Sequence, residues 1–366
     1  MKLTIDHTAF AAAVSTPSEV CPPGSGPHSR RSPAGRLQQR VRISAFDYEI
    51  SADTTAAATV TETGRALVSG RLLSDIVCTV RGDVHLELRG PRLVLKAGSA
   101  RFILPTLPLD EYPALPEPGT ITGTLDGPAF AEAVAQVACA VSREESLPTL
   151  TGIGLHHDSE AATLTLYATD ATFAVRTLSW KDANLPDTSA VIPGRALRRA
   201  KATADDTTVD LALPTGDAGL FTLRSDLTTT AIRALEGELP KYDALFPTEF
   251  AHTATVEIAP LKAAAQRVAL VSAKKDAPIK LTFTADSTLV LEGGTGDDAQ
   301  AVDSVDTSLT GGELTIAFNP AFLLDGLNAL MAESVQFDFI SPTKPAVLRA
   351  HDGDDQASAT SSCRSG

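Results

Sequence analysis

The chain has 366 residues, 43% of them hydrophobic, enough for buried cores and for two or three domains at about 100–200 residues each. No apolar run approaches the roughly 20 residues that cross a bilayer, and the opening Met1-Lys-Leu-Thr-Ile-Asp6 lacks a signal-like apolar stretch, so a soluble, cytoplasmic protein is expected. With 31 Lys+Arg against 45 Asp+Glu the formal charge is −14, which excludes a chain that grips polyanions over its whole surface and confines any such site to local basic stretches.

In chain order, Leu3-Thr-Ile-Asp-His-Thr-Ala-Phe-Ala-Ala-Ala-Val14 reads as a short strand running into an alanine-rich helix. A stretch rich in Pro, Gly, Ser and Arg follows, from about Thr16 to Gln39. Val68-Ser-Gly-Arg-Leu-Leu-Ser-Asp-Ile-Val77 predicts a second helix, with Ser69 at its start and Leu72, Leu73, Ile76, Val77 and Val80 at helical spacing. From His85 to Lys96 the period becomes two, as in antiparallel strands joined by a turn. Gly123-Thr-Leu-Asp-Gly-Pro-Ala-Phe-Ala-Glu-Ala-Val134 then repeats the opening and continues to Val141. Ala162 to Tyr167 reads as a strand, and Val191-Ile-Pro-Gly-Arg-Ala-Leu-Arg-Arg-Ala200 as another second helix, with Pro193 at its start. A third round begins at Thr255-Val-Glu-Ile-Ala-Pro-Leu-Lys-Ala-Ala-Ala265, its helix continuing to Ser272, and ends in Ile316-Ala-Phe-Asn-Pro-Ala-Phe-Leu-Leu324, where Asn319 starts the helix.

Aligning Phe10, Phe130 and Leu261 gives intervals of about 120 and 130 residues. Rounds one and two also close alike, in Tyr112-Pro-Ala-Leu-Pro116 and Tyr242-Asp-Ala-Leu-Phe-Pro247. The expected class is α+β: three similar domains, at 1–118, 119–248 and 249–366, each with two helices packed on antiparallel sheets.

Signatures of chemistry are missing. Cys21, Cys78, Cys139 and Cys363 have no paired spacing, which excludes a zinc ribbon and a disulfide framework; Cys139, in an alanine-rich helix, is expected in the core. His156-His157-Asp158 lies at a strand end, where neighbours point to opposite faces, and reads as a surface turn rather than a metal site. Asp297, Asp298, Asp303 and Asp306 lack the EF-hand pattern and read as a solvated rim. There is no Gly-rich phosphate loop, Gly-x-Ser-x-Gly or HExxH. The expectation is a protein with no catalytic residue, no metal and no cofactor.

Several segments resemble the bacterial DNA polymerase III beta sliding clamp, of actinobacterial type. They are Phe46-Asp-Tyr-Glu-Ile50, Phe102-Ile-Leu-Pro-Thr-Leu-Pro-Leu-Asp-Glu-Tyr-Pro113, Thr169-Asp170, Glu236-Gly-Glu-Leu-Pro-Lys-Tyr-Asp243, Leu324-Asp-Gly-Leu-Asn-Ala-Leu330 and Ser341-Pro-Thr-Lys-Pro-Ala-Val-Leu348. The resemblance, spread over nearly the whole chain, implies the DNA-clamp fold: a head-to-tail homodimeric ring with helices lining a hole around double-stranded DNA. It also implies a processivity factor that docks short peptides of the polymerase III alpha subunit, the clamp loader and other partners, with no membrane role.

The basic residues expected to face DNA are Arg71, Arg81, Arg195, Arg198, Arg199, Lys201, Lys262, Arg267, Lys274 and Lys275. Residues 190–203 and 259–275 hold eight of them and no acid. Phosphate contacts of this kind hold DNA without reading its sequence. The helix from Asp126 is not basic. By resemblance the peptide groove maps to Leu150, Thr169, Phe173, Pro240, Leu245, Phe322, Thr343 and Pro345, and the dimer interface to Phe102, Leu104, Leu270 and Val271.

Two stretches depart from the family. Around 16–39 the family has a strand resembling Pro-Pro-Val-Pro-Val-Leu-Ala-Gly, and at the end one resembling Tyr-Leu-Leu-Met-Pro-Val-Arg-Leu, where this chain reads Ser358-Ala-Thr-Ser-Ser-Cys-Arg-Ser-Gly366. Written in GC-rich codons and shifted by one base, Ser358 to Arg364 becomes Arg-Tyr-Leu-Leu-Met-Pro. A shift likewise turns Gly26 to Gly35 into Pro-Pro-Leu-Pro-Ala-Leu-Ala-Gly. Compensated insertions and deletions near the start and an uncompensated one near the end, in the gene or in its sequencing, would account for both; the alternative is a genuinely divergent tail. The family's basic residue after Thr-Asp is replaced here by Ala171-Thr-Phe-Ala, with one residue fewer. That change motivates an alternative: a specialised clamp paralogue that tolerates or sequesters a clamp-directed inhibitor.

Overall fold

A computed structural model of the chain describes residues 1–20, 26–28, 40–170, 172–200, 207–214, 219–240, 249–271, 277–294, 299–351 and 360–363, with main chain alone at 16–20, 26–28, 200 and 360–363. Lys201, Tyr242, Leu245, Lys274, Lys275, Asp297 and Asp298 lie outside the described residues, as does most of 16–39. Strands are numbered β1–β24 and helices α1–α6 along the chain.

The recurrent opening forms in all three rounds: β1 (Lys2–Ile5) into α1 (His7–Val20), β9 (Gly123–Asp126) into α3 (Gly127–Val137), β17 (His252–Glu257) into α5 (Ile258–Ala269). The aligned Phe10, Phe130 and Leu261 are each fully buried. Four residues before each stands an acid. The Asp6 carboxylate accepts from the amides of Thr8 and Ala9 at 2.9 and 3.1 Å, and Asp126 accepts from Ala129 at 2.8 Å. Each satisfies amides that the first helical turn leaves without a partner. Glu257 makes no such side-chain cap.

By Cα proximity the chain divides into two compact units: residues 1–131, 182–188 and 195–236, and residues 132–181, 189–194 and 237–366. In the first, a five-stranded sheet has the order β5 (Thr59–Glu62), β1, β6 (Val84–Arg89), β7 (Arg92–Ala97), β8 (Ala100–Pro105). A seven-stranded sheet runs β2 (Gly26–His28), β3 (Arg40–Phe46), β4 (Ile50–Ala57), β16 (Thr228–Arg233), β15 (Leu220–Arg224), β14 (Thr208–Ala212), β9. β4 pairs with β16 over Ile50↔Ile232 to Thr54↔Thr228, joining strands from distant parts of the sequence. α2 (Gly70–Thr79) starts at Ser69, whose hydroxyl accepts from the Leu72 amide, and packs against α1. Leu73, Ile76 and Val77 are buried, but Leu72 is exposed, so the predicted apolar stripe is one residue narrower.

The second unit is built on a twelve-stranded sheet. Its order is β13 (Thr188–Pro193), β10 (Gly152–Asp158), β11 (Thr163–Asp170), β12 (Thr172–Ser179), β24 (Thr360–Cys363), β23 (Ala346–Ala350), β22 (Ser334–Phe339), β17, β20 (Ala301–Thr310), β19 (Thr288–Gly293), β18 (Ile279–Phe283), β21 (Leu314–Phe318). α6 (Pro320–Ala329) begins with the Asn319 side chain accepting from the Ala321 amide, and packs against α5 over Phe283, Phe318, Phe337 and Phe339. α4 (Gly194–Ala200) follows Pro193 directly. Among the described residues the strand pairs of both units are antiparallel.

Three expectations are corrected. The third-round helix ends at Ala269 rather than Ser272, closed by the Leu270 amide on the Arg267 carbonyl. His156 and His157 lie inside β10, not on a surface turn. His157 is buried with its ring edge-on to Trp180 at 5.2 Å, and the His156 Nδ1 meets the Ser189 hydroxyl at 2.9 Å. Asp303 is not simply solvated: it is 2.7 Å from the Arg267 guanidinium.

Candidate DNA-facing helices and peptide groove

Basic side chains on three helices differ in how free they are. On α4, Ala196 and Leu197 are buried while Arg195 and Arg198 are exposed and Arg199 half-buried. Arg198 and Arg199 sit in the last turn, where the helix dipole favours positive charge. On α2, Arg71 is exposed. Arg81, just past that helix, donates to the carbonyls of Cys78 and Val80 at 3.4 and 3.0 Å, so it also closes the helix. On α5, Lys262 is half-buried, and Arg267 donates through Nε to Asp303 at 2.7 Å, which holds that carboxyl below its usual range. Among the described residues Arg71, Arg195, Arg198, Arg199 and Lys262 enter no salt bridge. Exposed guanidinium groups of this kind suit phosphate contacts that do not read sequence.

The groove residues gather in the second unit. Thr169, buried near the end of β11, stands opposite the half-buried Phe173 on β12. Leu150 lies in the 3-10 turn Pro148–Thr151, packed on β11, with its amide on the Leu147 carbonyl at 3.0 Å. Gly237, at φ +97, passes close to Thr149 of the same turn; the exposed Pro240 follows three residues later. Phe322, 36% exposed, stands on α6, which packs against β24 and the turn Ala138–Ala140. Thr343 and Pro345 are exposed in the turn leading into β23, where Lys344 donates to the Ser341 carbonyl at 3.2 Å.

Sequence reasoning missed two neighbours of this group. Val347, 1% exposed, continues the row Thr169–Phe173 across the sheet through Ser362. Beyond it lies Asp338, a buried acid 3.4 Å from Arg349 Nε that accepts from Thr253 and Gln336 at 3.0 and 2.9 Å. Alternation in Val335-Gln-Phe-Asp-Phe339 carried the signal, since it sets Asp338 on the face opposite Phe337 and Phe339.

The interface residues divide. Leu270 is 82% exposed, the most exposed large apolar side chain among the described residues, and Val271 is half-buried. Phe102 packs at the margin of the first unit's core, and Leu104 is inside it at 1% exposure. On the edge strand β8 it is Ile103, between them, that is half-exposed. Cys139 donates to the Gln136 carbonyl at 3.1 Å, Cys78 is exposed, and no metal-binding cluster occurs among the described residues. No described helix is long and apolar enough to cross a membrane.

The fold defines a clamp-type, three-domain protein. Three family models match: DNA polymerase III beta subunit, N-terminal domain, over 36–116, central domain over 124–241, and C-terminal domain over 243–361. The chain is 43% identical over 363 residues to the Beta sliding clamp of Streptomyces coelicolor, covering 95% of this chain and 93% of that one. It is 41% identical over 324 residues to the Beta sliding clamp homolog GriR of Streptomyces muensis, covering 87% and 85%. In fold it matches the beta subunit of Streptococcus pyogenes DNA polymerase at TM-score 0.88 and 24% identity over 100% of both chains. A Pseudomonas aeruginosa sliding clamp bound to griselimycin matches at 0.86 and 21% identity over 99% and 98%. The chain belongs to the beta sliding clamp family, the beta subunit of bacterial DNA polymerase III.

Proposed function

We propose that the chain works in the cytoplasm as a non-catalytic accessory subunit of the replicative polymerase, closing head to tail with a second copy around double-stranded DNA. The carrying observation is the set of exposed arginines on α2 and α4, free of salt bridges among the described residues in a chain of formal charge −14. The family matches support domain boundaries near residues 118 and 248. Ile103 beside Phe102 on one copy and Leu270 with Val271 on the other supply the apolar contact, and two such contacts close a ring. Partner peptides dock on Leu150, Thr169, Phe173 and Phe322, with Pro240, Thr343 and Pro345 at the margin. The test is retention on circular DNA: protein loaded on a nicked circle should stay through gel filtration and leave when the circle is cut. Equal loss from both forms rejects the ring.

A specialised homologue is the second reading, favoured by nearly equal identity to GriR and to the Streptomyces coelicolor clamp. Replacing a resident clamp gene with this one, and titrating the protein with griselimycin, separates the two. Growth with normal griselimycin binding supports the housekeeping role; weakened binding supports the specialised one. The N-terminal domain match begins only at residue 36, which supports the reading of a shifted frame upstream, and resequencing the coding DNA tests it.

A further inference from the structure

The hairpin joining β3 to β4 turns at Phe46-Asp-Tyr-Glu-Ile50, and several bonds brace that turn. The Asp47 amide donates to the Ile50 carbonyl at 3.2 Å. The Asp47 carboxylate accepts from the amides of Glu49 and Ile50 at 3.1 and 2.8 Å. The Tyr112 hydroxyl holds the main chain of Phe46, accepting from its amide at 2.7 Å and donating to its carbonyl at 3.2 Å. At the tip of this frame Tyr48 has φ +75 and is 68% exposed. Left-handed backbone is strained for a bulky side chain and favours Gly, Asn or Asp. Burial does not explain a tyrosine here, and strain of this kind persists where the side chain is used.

The Tyr48 ring lies 5.5 Å from that of Phe46, which is half-buried, as is Tyr112. Leu109, whose carbonyl accepts from the Tyr112 amide at 3.3 Å, is 38% exposed. This apolar surface has an acidic rim: Asp47 and Glu49 on the hairpin, Asp110 and Glu111 on the 3-10 turn Leu109–Glu111. None of these carboxylates enters a salt bridge among the described residues. The base beside them is Arg233, whose amide donates to the Glu49 carbonyl at 2.8 Å.

We infer that this patch docks a linear segment of a partner protein, one that presents a large apolar side chain flanked by lysine or arginine. The apolar side chain covers Tyr48 and Leu109, and the flanking cations face the carboxylates. Charge complementarity of this kind supplies steering and register, while the apolar contact supplies affinity. A cation can also sit over the Tyr48 ring. The carboxylate rim repels phosphate, which argues against DNA as the occupant. A second copy, itself of formal charge −14, is disfavoured for the same reason. The patch belongs to the first unit and the proposed peptide groove to the second, so the two are tested separately.

The probe is the peptide Lys-Arg-Leu-Phe-Arg-Lys, and its control is Lys-Arg-Ser-Ser-Arg-Lys. With the full chain, calorimetry should give binding at least about tenfold tighter for the probe than for the control. Added salt should weaken both. Amide hydrogen exchange should slow at Phe46–Ile50 when the probe binds. Tyr48→Gly should weaken the probe by about tenfold or more, yet leave the urea midpoint no lower, because glycine adopts this φ without strain. A tyrosine kept only for structure would instead lower the midpoint when replaced. Glu49→Lys combined with Glu111→Lys should also weaken the probe, whereas Phe322→Ala in the proposed groove should leave it unchanged. Equal affinity for the two peptides, full binding by Tyr48→Gly, a lowered midpoint in that variant, or loss of binding in Phe322→Ala would overturn the inference. So would displacement of the probe by duplex DNA, or self-association abolished by Tyr48→Gly, since each gives the patch to another occupant.

Discussion

Burial pushes the Cys139 thiol up to about 11, and the nearby Asp325 carboxylate acts in the same direction. The native state therefore holds that proton more tightly than the unfolded chain, whose thiol titrates near 8.5. The stability this contributes is complete below the unfolded value and lost as pH rises towards 11. Urea midpoints should accordingly fall between about pH 8.5 and 11, and Cys139→Ala should flatten that fall; an unchanged pH profile rejects the assignment. In native protein at pH 8, iodoacetamide should label the exposed Cys78 and spare Cys139, as peptide mass mapping can check. The arginines carry a separate expectation. Reversing Arg198 and Arg199 to Glu should lower retention on DNA equally for all sequences, and should reduce the salt slope by about 0.9 for each phosphate no longer neutralised. A sequence-dependent loss would remove α4 from the DNA site. At this scale the sequence located the charges but not their bonds: Arg267 is held by Asp303, a tertiary neighbour 36 residues away, while Arg81 turns back onto the carbonyls of Cys78 and Val80 at the end of its own helix.

Helix starts were the most legible elements. Ser69 and Asn319 cap where the sequence places them, and the strand-helix openings recur with Asp6 and Asp126 at equivalent positions. Glu257, one methylene longer at the third equivalent position, makes no side-chain cap. Glu257→Asp should therefore stabilise the protein by about 1 kcal/mol, whereas Asp126→Ala should cost a similar amount. Urea denaturation measures both, and a Glu257→Asp variant no more stable than its parent would deny that the aligned acids are equivalent. Leu72 shows the limit of periodicity: its spacing fits the apolar face, yet only packing decides which edge of the stripe is covered.

For the molecule as a whole, threefold similarity is plain in the sequence, while the way the rounds share sheets is not. β4 joins β16 across some 180 residues of sequence and β12 reaches β23 through β24, pairings that no local pattern encodes. The candidate groove was legible only in part, because Thr169, Phe173 and Val347 share a row only through that common sheet. In the proposed groove β24 pairs with the strands that carry Phe173 and Val347, so its sequence should bear on partner affinity. Large apolar side chains in the family's last strand are each worth roughly 1.5–3 kcal/mol when buried, and 1.4 kcal/mol is about tenfold. The chain should therefore bind clamp-binding peptides at least about tenfold more weakly than a version ending in Tyr-Leu-Leu-Met-Pro-Val-Arg-Leu. Equal calorimetric affinities would show that the last strand takes no part.

The position of β24 also bears on the order of assembly. β24 follows both β12 and β23 in the sequence, yet it lies between them in the second unit's sheet. Before β24 is made, the edges of β12 and β23 that it pairs with lack that partner. A nascent or newly released chain thus exposes two sticky strand edges that the finished fold hides. Closing them requires contacts over nearly 190 residues of sequence, a slow step by its topology. Until it is made, both edges are open to pairing with other chains.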